Sequence, residues 1–107
     1  MIKQLLVTLI ISVGLSGNVF SKTLETNIDG VVIKDLECYS FCTGTIVNRT
    51  NINLSVARIE LKLFDKDNDP IGSCYSIIVL GANSGTGFTA NGCNGSNAKK
   101  VTIDVVR

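Results

Sequence analysis

The feature that most constrains this fold is a strict two-residue alternation in residues 55–65, SVARIELKLFD. Apolar residues occupy the odd positions, and charged residues occupy the even positions between them. The apolar residues are Ala57, Ile59, Leu61 and Leu63, and the charged residues are Arg58, Glu60 and Lys62. Successive side chains of a β-strand point to opposite faces, so this pattern predicts a strand with one buried face. A helix would instead place Arg58 and Lys62 on its buried stripe.

Other segments of the chain also have the composition of short strands. We predict strands at residues 31–38, 41–49, 71–80, 86–90 and 101–106. Segments rich in Asp, Asn, Gly and Pro separate them, at residues 65–70, 81–85 and 91–98. Gly44 indicates a bulge or a close backbone approach, and residues 22–29 are predicted to be a loose lead-in. Short strands at this spacing favour an all-β sandwich or barrel.

The first 21 residues have the organisation of a cleavable secretory signal. A basic residue precedes the 11-residue apolar run LLVTLIISVGL, and small or polar residues follow it. Val19 and Ser21 at the −3 and −1 positions favour cleavage before Lys22, and an earlier cleavage before Asn18 is also compatible. The run is shorter than the ~20 residues that a membrane span needs. We therefore expect residues 22–107 to form one exported domain, periplasmic or extracellular, with no membrane span after cleavage.

Charge and composition exclude several classes of function. Cleavage removes Lys3, so nine basic and nine acidic residues remain. A neutral domain lacks the basic surface of a nucleic-acid binder or of a segment that binds anionic lipid. The chain contains no histidine, which removes the usual general base and the commonest metal ligand. No pair of carboxylates stands out for acid–base work, so we predict a protein that is not an enzyme and has no cofactor or metal.

The order of several short motifs resembles a known family. Residues 44–48, GTIVN, precede the alternating strand, which ends in Leu63-Phe64-Asp65, and a Leu-Gly-Ala turn and then Phe88 follow. This order resembles the FxLYD family of small bacterial exported domains, in which a G-x-V-x-N strand, a strand ending in LYD, a Leu-Pro-Gly turn and a Phe follow one another. Here Phe replaces the Tyr, and the proline is missing. The resemblance covers residues 31–106. It implies an immunoglobulin-like β-sandwich of about six to seven antiparallel strands and no particular activity.

Four cysteines lie in the part of the chain expected to be exported: Cys38, Cys42, Cys74 and Cys93. An even number in an oxidising compartment predicts two disulfides, and four cysteines allow three pairings. Cys38 and Cys42 would face each other across a tight hairpin, and Cys74 and Cys93 flank residues 81–85 at similar distances. These two pairs are favoured, and the other pairings stay open. The spacing disfavours a zinc site built from four thiolates and a thiol-exchange site.

Two other motifs have structural explanations. Residues 65–69, DKDND, have the form of a calcium-binding loop, but Pro70 and Ser76 occupy the positions where an EF-hand needs Gly and Glu. A polar turn is the favoured interpretation. Three positions match the glycosylation sequon, which an Asn-rich chain matches by chance: Asn48, Asn53 and Asn94.

The function favoured by these observations is that of an exported protein-binding or accessory module. We expect a monomer whose partner is another envelope or secreted protein. Residues 101–106 or 77–80 are candidates for a strand edge that faces this partner, although both segments also suit ordinary core strands. One alternative is a structural subunit of a surface appendage, which residues 22–30 disfavour because they do not alternate. Another is a secreted inhibitor or immunity factor that presents the disulfide end of the domain.

Overall fold

The computed structural model describes residues 18–20 and 22–107. Most of the predicted signal, residues 1–17 and Ser21, therefore lies outside the described residues. The described part contains eight strands: β1 Asn18–Phe20, β2 Leu24–Glu25, β3 Val31–Cys38, β4 Phe41–Asn48, β5 Ser55–Phe64, β6 Pro70–Leu80, β7 Ser84–Asn91 and β8 Lys100–Val106. It contains no helix, and hence none with the length and apolarity to cross a membrane. The all-β prediction is confirmed.

Two of the eight strands fall where sequence analysis placed none. β1 lies at the end of the predicted signal, and β2 lies in the segment that we expected to be a loose lead-in. Both pair with β3. These two short strands account for the difference between the six to seven strands expected and the eight present. A strand of two or three residues is too short to have a readable alternation.

The strands form one curled antiparallel sheet in the order β1-β3-β4-β7-β6-β5-β8, with β2 also on β3. Among the described residues, β6 and β7 share a single bridge, Tyr75 with Asn91. The sheet thus divides into two halves, which we call the β4 half (β1–β4 and β7) and the β5 half (β5, β6 and β8). Inward side chains from both halves form one core, so the fold has the layered core of a sandwich whose sheets stay joined on one side.

The alternation in β5 works as the sequence predicts. Ala57, Ile59, Leu61 and Leu63 are at most 2% exposed. β5 is the central strand of its half, because it pairs with β6 on one side and with β8 on the other. Burying four apolar side chains of this size stabilises the fold by several kcal/mol, at about 25 cal/mol per Å² of apolar surface.

Gly44 marks a close approach, as its position in β4 indicates. A Cβ atom at Gly44 would lie 3.2 Å from the ring of Phe88 and 3.3 Å from the carbonyl oxygen of Lys34. The bulge itself is on the neighbouring strand β3, between Lys34 and Glu37, where Asp35 has a φ of 56°. The glycine therefore leaves room for an aromatic ring in the core beside an irregular strand.

Strand ends agree with the predicted ones to within two residues. β7 begins at Ser84, because Ser84 and Gly85 pair with Asn48 and Val47 of β4. β6 begins at Pro70, which takes the first position of the strand, where a missing N–H is tolerated.

Candidate functional site

The two disulfides meet at one end of the molecule, which we call the cysteine pole. The structure joins Cys38 to Cys42 and Cys74 to Cys93, the two pairs that the strand positions favour. The Sγ atoms of Cys42 and Cys93, which belong to different disulfides, are 3.7 Å apart. Three of the sulfur atoms lie within 4.8 Å of one another. Because no described cysteine is free, these atoms stand as disulfide sulfurs and offer no thiolate to a metal or a substrate.

The connection between β3 and β4 at this pole is held by polar contacts. The backbone N–H of Gly95 donates to the carbonyl oxygen of Tyr39 at 2.6 Å. The Tyr39 hydroxyl donates to the carboxylate of Glu37. This hydrogen bond, with a smaller contribution from desolvation and from the charge of Glu37, raises the pKa of Tyr39 above its ordinary value. The Tyr39 hydroxyl therefore stays protonated at neutral pH and donates to Glu37.

The acidic segment between β5 and β6 is organised as a turn. One carboxylate oxygen of Asp65 accepts hydrogen bonds from the backbone N–H of Asp67 at 2.9 Å and of Asp69 at 3.0 Å. The N–H of Asp65 donates to the carbonyl oxygen of Asp69 at 3.0 Å, which closes the turn. The three carboxylates lie within 4.8 Å of one another. One carboxylate oxygen of Asp65 is thus used in hydrogen bonds to the backbone, as expected of a polar turn.

Asn48 is a buried structural residue. Its side-chain amide donates to the carbonyl oxygens of Ile52 at 2.8 Å and of Gly81 at 3.0 Å. Its oxygen accepts from the N–H of Thr50 at 3.0 Å and from the Thr50 hydroxyl at 2.6 Å. All four hydrogen-bonding positions of the amide are used, so this sequon has no free nitrogen for a glycan.

The outer surface of the β5 half carries a contiguous apolar area, which we call the outer face. It consists of Val56, Ile77, Val79 and Val106. The first three side chains are 62–71% exposed. Val56 lies opposite Val79, and Arg58 lies between Ile77 and Val106, so the four apolar side chains are arranged around Arg58 on three neighbouring strands. Exposed apolar groups gathered on one face are typical of an interaction surface.

A charged depression adjoins the outer face. It has a volume of about 440 Å³, and its lining includes Glu60, Lys62, Tyr75 and Asp104. The guanidinium of Arg58 lies 5.5 Å from the centre of the Tyr75 ring and 2.7 Å from a carboxylate oxygen of Glu60. The ring and the carboxylate hold Arg58 in place beside the apolar side chains. Tyr and Arg next to apolar groups are the residues that dominate binding at protein interfaces.

Each of the two segments proposed as a partner-facing edge is half core and half surface. In β8, Ile103 and Val105 are buried, and Thr102 and Asp104 are exposed. β8 stands at the end of the strand order, but its free edge is partly covered. The side-chain amide of Asn27 accepts from the N–H of Val105 at 2.6 Å and donates to its carbonyl oxygen at 3.1 Å. In residues 77–80, Ile78 and Leu80 are buried, and the exposed Ile77 and Val79 belong to the outer face.

Sequence reasoning missed two features of these surfaces. The contact of Asn27 with β8 spans 78 residues, and a single Asn carries no signal that would predict it. The outer face had a weak signal in the sequence, since Ile77 and Val79 alternate with the buried Ile78 and Leu80 and so must point to the opposite side of the strand.

Comparison of the chain with models of known protein families, with curated proteins and with solved structures gives no match. The site is therefore interpreted from its own geometry.

Proposed function

We propose that this chain is an exported, non-enzymatic β-sandwich module that binds another protein of the cell envelope or of the secreted fraction. The observation that carries the proposal is the outer face. Its apolar side chains adjoin Tyr75 and Arg58, and this composition resembles the centre of a protein interface, with a charged rim beside it.

The proposal of export has two supports. The first 21 residues follow the order of a secretory signal, and all four cysteines are bonded as disulfides. Stable structural disulfides are typical of oxidising compartments. The resemblance to FxLYD domains agrees with a small exported domain, and membership of that family stays a proposal.

The absence of an activity is proposed from the residue types. The chain has no histidine. Of the polar clusters in residues 22–107, the acidic turn is occupied by backbone hydrogen bonds and Asn48 uses every position of its amide. These two groups stabilise the fold, and neither pairs a nucleophile with a base.

The experiment compares three forms of the exported chain as bait for proteins of the envelope and secreted fractions. The first is the unchanged chain, and the second carries Ile77→Asp and Val79→Asp on the outer face. The third, Thr89→Asp, adds a carboxylate to the exposed side of β7 in the other half and serves as the matched control. We expect the double variant to lose the partner and the control to keep it.

Two outcomes would contradict the proposal. One is a set of captured proteins that is the same for all three forms. The other is a chain that remains in the cytoplasm with reduced cysteines. A monomer at every concentration on sizing chromatography is expected, and concentration-dependent polymers would favour the appendage subunit instead.

A further inference from the structure

The outer edge of β3 is covered by the N-terminal part of the chain in two separate places. β2 pairs with Val32 and Ile33, and β1 pairs with residues 36–38. The bulge of β3 follows the first place and includes Leu36, the first residue of the second place. We call the place that β1 covers, residues 36–38, the acceptor edge.

β1 shows which kind of strand the acceptor edge accommodates. Phe20 lies opposite Leu36, and its partly buried side chain packs against the core. Val19 lies opposite Glu37 and is 47% exposed. Residues that face each other across an antiparallel pair project to the same side of the sheet. The edge therefore suits an extended segment with an aromatic residue opposite Leu36 and an outward-facing residue beside it.

Cleavage before Lys22 would remove β1 and leave β2 in place. This step rests on the proposed function, because it requires an exported chain with a cleaved signal. The N–H and C=O groups that faced β1 would then lack a strand, and the space beside Leu36 that holds Phe20 would open. An unpaired edge of this kind is a template for a strand of another chain.

The acceptor edge is held in position by contacts that do not involve β1. Cys38 is bonded to Cys42 of β4, and Glu37 pairs with Thr43. The carbonyl oxygen of Tyr39, just beyond β3, accepts from the N–H of Gly95. A preformed edge binds a strand with a smaller entropic cost than a mobile segment would.

We propose that the acceptor edge of the mature domain binds an extended strand of another exported protein, with an aromatic side chain in the place of Phe20. Before cleavage, β1 pairs with the acceptor edge, so the precursor cannot bind the partner's strand there.

The test begins with the exported protein, purified from the compartment that it reaches, and with its N-terminus read by mass spectrometry. The probe is the peptide SGNVFS, which corresponds to residues 16–21. We expect a chain that starts at Lys22, and saturable shifts of the backbone amide signals of residues 36–38 when peptide is added. A chain of residues 18–107 keeps β1 and is the covered control, for which we expect no shift. The peptide with Ala in place of Phe should bind at least about tenfold more weakly.

Several results would overturn the proposal. These are a mature chain that starts at Asn18, a chain of residues 22–107 that does not fold, equal shifts in the two chains, or no shift at all. The Ile77→Asp, Val79→Asp variant of the mature chain should bind the peptide unchanged, because the outer face lies in the other half of the sheet. Failure at the acceptor edge is thus separable from failure of the outer face.

Discussion

At the residue scale, Asn48 is the polar side chain that the core depends on most. It is the one fully buried polar residue in the described chain, and its four hydrogen bonds join the end of β4 to the connections at Ile52 and Gly81. A buried amide with every position used stabilises the fold, whereas an amide with a missing partner costs free energy. Asn48 therefore fixes the connection after β4 against the connection after β6.

Replacing Asn48 with Ala should lower the free energy of unfolding by about 3 kcal/mol, because buried backbone groups lose their partners. Asn53→Ala is the matched control, since Asn53 is exposed and makes one hydrogen bond, to the N–H of Ser55. It should cost less than about 1 kcal/mol. Urea denaturation of the oxidised proteins measures both changes, and equal losses would contradict the role assigned to Asn48.

The Tyr39–Glu37 pair should respond to pH. Its hydrogen bond raises the pKa of Tyr39. The stability that the pair contributes through Tyr39 is thus complete below the ordinary tyrosine pKa of about 10 and is lost as the pH rises through the raised pKa. In a Tyr75→Phe background, Tyr39 is the only tyrosine. We expect Glu37→Gln to lower the pKa of Tyr39, measured by the ultraviolet absorbance of tyrosinate. An unchanged titration would show that Glu37 does not hold the hydroxyl.

At the element scale, the strands that can be predicted from sequence are those that bury one face of a long alternation. β5 is the clearest case. It lies between β6 and β8, and all its inward residues are buried in the core. β1 could not be predicted, because an apolar pair at the end of a signal-like segment has the same composition whether it is removed or paired. The hydrogen bonds between Asn27 and Val105 of β8 are a tertiary contact that no local sequence pattern encodes.

Gly95 lets the segment before β8 pass against β3. A Cβ atom at this position would overlap the Cβ of Cys38. Gly95→Ala should therefore lower the free energy of unfolding by about 2–3 kcal/mol through overpacking. Gly87→Ala is the matched control, because its nearest neighbour would be the carbonyl oxygen of Gly44 at 3.8 Å, an ordinary contact. Thermal unfolding measures the difference, and two equal midpoints would argue against the close contact.

At the scale of the whole molecule, the 86 residues from 22 to 107 make a core of marginal size, so covalent links carry a large share of the stability. The cysteine pole ties β3 to β4 and ties β6 to the segment after β7. The sequence argument favoured these pairs from the hairpin and from the spacing around residues 81–85. The strand order also places all four cysteines near one end of the domain, but it does not predict the contact between the two disulfides, which depends on how the halves of the sheet close.

Removing each disulfide should lower the free energy of unfolding by a different amount. In the loop-entropy model, Cys74→Ala with Cys93→Ala lowers the free energy of unfolding by about 3 kcal/mol, and Cys38→Ala with Cys42→Ala lowers it by about 2 kcal/mol, because the first pair closes the longer loop. Denaturant titration without reductant measures both losses. Peptide mapping of the non-reduced protein tests the pairing itself, and a peptide that joins Cys42 to Cys93 would contradict it.

The short distance between the two disulfides has a chemical consequence. Thiol–disulfide exchange needs an attacking sulfur beside the bridge that it opens, and the Sγ atoms of Cys42 and Cys93 are 3.7 Å apart. A thiolate released at Cys42 or Cys93 lies beside the other bridge and can attack it, which forms a new disulfide and releases a different thiolate. The first electron pair that reaches the pole therefore opens one bridge, and the disulfide that remains can move among the four cysteines.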